Sequence, residues 1–116
     1  MAVESPNRLT KRAIGALENL DNVLEVSSVS LSEIAIKNTR GKLNISGEQT
    51  RTALHDMAIR TLPYTAAHAF RLFDLPLHHK DPFDRQIIAQ AIAEGIPVLS
   101  SDEHFPLYKG LKVIWK

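Results

Sequence analysis

Short runs of branched apolar residues alternate with stretches of helical periodicity along this chain, and few folds accommodate that alternation. Val23–Val26, Thr61–Tyr64, Pro97–Ser100 and Lys112–Trp115 are each four residues long and bounded by turn or capping residues, as buried strands are. Between them, Leu9, Ala13, Ala16, Leu17 and Leu20 recur at helical spacing and predict a helix over about 8–20. Ser30-Leu31-Ser32-Glu33 reads as a capping box opening a second helix, closed by Gly41 behind Lys37 and Arg40. A third helix is expected over about 47–58 behind Ser46, and a fourth behind Thr65, with Ala66, Ala69, Phe70 and Phe73 facing one way. Asp81-Pro82-Phe83-Asp84 is the clearest helix start, and that helix runs through Ile87, Ile88, Ala91 and Ile92 to Gly95. Short apolar strands separated by helices imply a parallel sheet covered on both faces, an α/β fold.

No linker, repeat or low-complexity stretch divides the 116 residues, so residues 1–116 read as a single domain. Hydrophobic residues make up 44% of the chain and charged residues 23%, ordinary for a packed core and wrong for disorder. A net charge of +1 provides no global basic field, so any nucleic-acid contact has to come from a local patch. The absence of cysteine removes thiolate metal sites and nucleophiles and fits a reducing cytosol. No apolar run approaches the roughly 20 residues that cross a bilayer, which points to a cytoplasmic protein with no membrane partner.

Three acids occupy comparable places: Glu33, Asp84 and Asp102 each stand in the first turn of an expected helix or just before one. Strand-to-helix junctions of a parallel sheet gather at the C-terminal ends of the strands, so Glu33 and Asp102 should reach a common edge. Carboxylates aimed at one point repel one another and are tolerated when a divalent cation lies between them. Oxygen-only ligation suits Mg²⁺ or Mn²⁺, ions able to activate water against a phosphodiester.

Each acid also has a plainer reading. A first-turn carboxylate caps free N–H groups and complements the helix dipole, for about 0.5–2 kcal/mol. Glu33 stands four residues before Lys37, a favourable helical pair, and Asp81 is an N-cap whose box Asp84 could close. Side chains of His78 and His79 should point apart in an extended loop, which favours a surface or supporting role over metal ligation. His55, His68 and His104 are isolated and receive no role. Lys42, Lys80 and Arg85 could hold RNA phosphates or simply complement helix ends. A nucleotide-binding α/β domain is disfavoured because no Gly-rich phosphate loop joins a strand to a helix.

Three segments resemble motifs of the PIN domain family, and specifically of its VapC-type toxin ribonucleases. Ser28–Lys37 followed by Gly41-Lys42-Leu43 resembles the region of the family's second acid. Leu75–Ala91, with His78-His79-Lys80-Asp81-Pro82-Phe83-Asp84-Arg85, resembles the third-acid motif over a long stretch, and Val98–Phe105 resembles the fourth. The resemblance runs in order from residue 8 to the C-terminus. It implies a three-layer α/β/α fold and endoribonuclease activity with Mg²⁺ or Mn²⁺. Glu33, Asp84 and Asp102 would serve as catalytic metal ligands, with Asp81 supporting them. Its further implications are an RNA substrate, with Lys42, Lys80 and Arg85 as candidate contacts, and a small antitoxin partner that blocks the site.

Family members begin with a hydrophobic strand that ends in an acid, and no run before Arg8 is apolar enough to be that strand. On this reading the fold is N-terminally truncated and the first acid is missing, because Glu4 lacks a strand to place it. Reduced activity follows, as does closure of the gap in the sheet by a second copy, giving a homodimer or higher oligomer. The alternatives are a catalytically inactive module that binds antitoxin or RNA, and a reading frame that starts further upstream.

Overall fold

The computed structural model describes residues 1–4 and 23–114. The expected helix over 8–20 lies outside the described residues, as does Trp115. The elements in chain order are β1 (Ala2–Val3), β2 (Leu24–Ser27), α1 (Ser28–Thr39), α2 (Gly47–Asp56), β3 (Ile59–Leu62), α3 (Ala66–Arg71), α4 (Pro82–Glu94), β4 (Val98–Leu99) and β5 (Val113–Ile114). Single 3₁₀ turns follow at Leu72–Asp74 and Phe105–Leu107. The strands form one parallel sheet in the order β3-β2-β1-β4-β5.

The first strand, which the sequence reading had declared missing, stands at the centre of this sheet. Ala2 and Val3 pair with Glu25 and Val26 on one side and with Val98 and Leu99 on the other. Backbone bonds from Ala2 N to Pro97 O (3.0 Å), Glu4 N to Leu99 O (3.1 Å) and Glu25 N to Met1 O (2.8 Å) knit it in. A strand bonded along both edges and buried on both faces needs very little length, which is why composition could not reveal it. No gap is left between β2 and β4, so the argument that a second copy must fill one loses its premise.

The sheet is covered on both faces. Ala2 and Val98 meet Ile87, Ile88 and Ala91 of α4, with Phe105 and Tyr108 beside them. Met1, Val3 and Leu99 point to the other face, and Val26 and Ile59 pack there against Leu54 of α2. This is the three-layer α/β/α arrangement expected from the alternating pattern.

Local chemistry explains most boundaries and corrects some. Helix α1 starts earlier than expected, because Ser27 rather than Ser30 is its N-cap, accepting from Val29 N at 3.1 Å. The capping box of Ser30 with Glu33 therefore does not form. Ser30 instead donates to the backbone oxygen of Glu4 at 3.1 Å, and Glu33 sits in the second turn. Ser46 and Gln49 do form a capping box on α2. Phe70 and Phe73, expected to face one way, do lie together with their rings stacked, but in solvent, at 68% and 83% exposure. Asp81 caps α4 as expected, and Gly95 ends it in the left-handed region at φ 65°. A Cβ at Gly95 would meet nothing within 4 Å, so Gly95→Ala should cost only backbone strain, about 1 kcal/mol in a denaturant titration.

Candidate metal and nuclease site

The C-terminal ends of β1, β2 and β4 lie side by side, and the residues just beyond them build an acidic centre. Glu4 leaves β1 into a buried position, 9% exposed, where Ser100 Oγ donates to its Oε1 at 3.0 Å. Ser100 Oγ in turn accepts from Asp102 N at 3.0 Å, so the loop after β4 is tied to the acid after β1. An acid thus stands at the C-terminal end of the central strand, close enough for its charge to be felt at Asp84.

Asp84 projects from the first turn of α4. Its backbone N–H, with that of Phe83, is held by Asp81 Oδ1 at 3.1 and 2.8 Å. Asp81 satisfies the helix end, which frees the Asp84 carboxylate for the centre. Asp84 is 8% exposed, and burial raises its pKa from 3.8 to about 7. Glu4 and Asp81 push the same way, His79 opposes them, and Glu33 adds a smaller push. Glu33 itself pairs with Lys37 at 3.0 Å, the helical ion pair expected of it. The field of its carboxylate nonetheless reaches Asp84.

Asp102 is the opposite case. Burial raises its pKa, but the bond from His104 N and those with His79 and His104 outweigh burial and hold it below the usual carboxylate range. Its Oδ1 accepts from His104 N at 2.8 Å and lies 3.0 Å from His104 Nδ1, while its Oδ2 lies 2.9 Å from His79 Nε2. His79 Nε2 is also 3.1 Å from Asp84 Oδ2, so one ring nitrogen bridges two of the acids. His79, Asp102 and His104 offer ligand atoms all within 4.8 Å of one another.

The sequence reading gives His78 and His79 a surface or supporting role and His104 none. His79 is the one of the adjacent pair that turns inward, where it reaches two acids. His104 stands two residues after Asp102, a spacing that lets a side chain return to its own turn.

Of the three basic residues, Lys42 and Lys80 are exposed. Arg85 is committed to holding the loop before α4. It donates to the carbonyls of Pro76 (2.9 Å), Leu75 (3.2 Å) and His79 (3.4 Å), and to Tyr108 Oη (3.4 Å). Those bonds tie both terminal nitrogens of the guanidinium to the protein itself. Tyr108, 2% exposed, also accepts from His78 N and His79 N at 3.1 and 2.8 Å. Tyr108→Phe would strand these two N–H groups, so a loss of about 1–3 kcal/mol is expected in urea unfolding. An unchanged midpoint would show that the loop does not depend on this hydroxyl.

The donor set suits a divalent cation. Hard carboxylate oxygens converge on one edge, and Asp84, its pKa pushed up to about 7 by burial first and by Glu4 and Asp81 next, is a carboxylate whose charge a cation would stabilise. Fold and site together define a three-layer α/β domain with an acidic centre at the C-terminal ends of its parallel strands. The chain belongs to the PIN domain family, whose model matches residues 2–111 and so includes the first strand. Among solved structures, it is similar to a chain of VapBC2 from Rickettsia felis bound to a DNA fragment from the promoter, at 19% identity and TM-score 0.74 over 100% of both chains. It is also similar to a chain of DNA-bound VapBC from Salmonella typhimurium, at 12% identity and TM-score 0.70 over 97% of this chain and 95% of that one. Identities at this level establish the fold alone. No curated protein sequence matches. No helix among the described residues is long and apolar enough to cross a membrane.

Proposed function

We propose that this protein is the toxin of a VapBC-type pair, an endoribonuclease that hydrolyses RNA phosphodiesters with Mg²⁺ or Mn²⁺. The observation that carries the proposal is the convergence of Glu4, Asp84 and Asp102 at one strand edge, with the field of Glu33 reaching Asp84. Glu4, Asp84 and Asp102 would hold the ion, and Glu33 would add negative charge beside it. A divalent ion bound there supplies charge neutralisation at the scissile phosphate and makes a coordinated water more acidic.

The chain's own residues set the conditions for that chemistry. Asp81 fixes the start of α4 and with it the position of the Asp84 carboxylate. Ser100 holds Glu4 and the Asp102 backbone in one hydrogen-bonded unit. Lys42 and Lys80 are exposed cations suited to the RNA backbone, whereas Arg85 belongs to the scaffold. An antitoxin partner is supported by the VapBC complexes that share the fold. The position of Glu4 beside Asp84 favours this reading over that of an inactive, truncated module.

RNA cleavage by the 116-residue chain with Mg²⁺ or Mn²⁺, against EDTA and a Glu4→Gln control, tests the proposal. Cleavage lost in both controls supports it. Cleavage that survives EDTA, or none at all from a folded protein, overturns it.

A further inference from the structure

We propose that His79 is a locked hydrogen-bond donor that ties Asp84 to Asp102, and that it is not itself a ligand of the metal. The inference deepens the acidic-site reading and rests on it for the identity of the ligands. A histidine between two carboxylates, with a second histidine 4.8 Å or less away, invites assignment as a His/carboxylate metal site. The other side of the ring argues otherwise. His79 Nδ1 is 3.1 Å from Asp81 N, and a backbone N–H can only donate. Nδ1 is therefore the bare nitrogen, and a neutral imidazole with a bare Nδ1 carries its proton on Nε2. That proton points at Asp102 Oδ2 (2.9 Å) and Asp84 Oδ2 (3.1 Å).

For Nε2 to coordinate a metal as a neutral ring, the proton would have to move to Nδ1. There it would face the Asp81 N–H across 3.1 Å, two donors with no acceptor between them. The same Asp81 whose side chain caps α4 thus sets the tautomer of His79 through its backbone, two residues away. His68 shows the arrangement a second time in this molecule: its Nδ1 accepts from Thr65 N at 3.0 Å and its Nε2 meets Glu94 Oε1 at 2.7 Å. At His79 the bond crosses from the loop before α4 to the turn after β4, and it spans the two acids whose separation a cation must match. His79 is a positioning residue that holds one oxygen of Asp84 and one of Asp102 within hydrogen-bond reach of the same ring nitrogen.

Two measurements decide the matter. A long-range ¹H–¹⁵N spectrum of the metal-free protein should show His79 with a bare Nδ1 and a protonated Nε2. A proton on Nδ1, alone or together with one on Nε2, overturns the proposal, whether or not the protein binds any metal. Calorimetric titration of Mg²⁺ and of Zn²⁺ then separates donor from ligand. His79→Gln keeps an N–H where Nε2 stands, and should bind both ions much as the wild type does. His79→Asn keeps only an acceptor where Nδ1 stands, and should lose about 10- to 100-fold for both ions alike. A selective loss of Zn²⁺ binding in His79→Gln would make His79 a ligand and refute its role as donor. Wild-type protein that binds neither ion defeats the acidic-site reading instead, and leaves the tautomer to judge the donor by itself.

Discussion

Asp84→Asn should weaken divalent-metal binding and at the same time make the metal-free protein harder to unfold above neutral pH. The unfolded chain releases the Asp84 proton near 3.8, the folded one near 7. Between those values folding takes up a proton, so stability falls as pH rises through that window, and the loss is complete above about 7. The rise in pKa sets a ceiling of about 4 kcal/mol, and solvent screening at the open side of the cluster lowers this to about 1–2 kcal/mol. An asparagine keeps the shape and discards the charge. Its melting temperature in EDTA should exceed that of the wild type at pH 8 and match it near pH 4. Added Mg²⁺ or Mn²⁺ should stabilise the wild type by mass action and leave the variant unmoved. Its metal affinity should drop by more than the roughly 10- to 100-fold that loss of a supporting partner costs. A variant that melts lower than wild type at pH 8 would mean that Asp84 is compensated in the native state, and the case for a cation there would weaken with it.

Val3→Asp should abolish cooperative folding. Val3 is 1% exposed in the central strand, packed with Met1 and Leu99 and paired with both Val26 and Leu99. An unpaired carboxylate there costs several kcal/mol, of the same order as the roughly 5–15 kcal/mol that holds a domain of this size together. Near-ultraviolet circular dichroism and a thermal melt would report it directly. A wild-type melt would place Val3 outside the core and return the first strand to the status of missing. Glu4→Gln, one residue on, is the complementary change. It removes charge at the strand's end, where Ser100 donates to the carboxylate, and should spare the fold.

Much of the fold was legible in the sequence because its signals are local. Asp81-Pro82 opens α4 through bonds to N–H groups two and three residues away, and Gly95 ends that helix with one left-handed residue. Glu33, Asp84 and Asp102 stand out in the sequence by their places at or near helix starts, and the structure brings Asp84 and Asp102 together on His79. The errors share a cause. Ser30 looked like a cap by its spacing to Glu33, yet its hydroxyl was claimed by Glu4, 26 residues away. Arg85 was read for its charge alone, and its terminal nitrogens bond the carbonyls of the loop before α4.

The sequence by itself determined the class of fold and the order of most of its elements, because periodicity, capping residues and charge act over a few residues. Only the tertiary structure decided that Ala2-Val3 is a strand. Two residues carry no period, and they are held by partners 23 and 96 positions along the chain. It likewise decided that Glu4 completes the acidic centre and that His79 turns inward to bridge Asp84 and Asp102. Hydrogen bonds between distant segments set those choices, and their energy exists only once the sheet has brought the segments together.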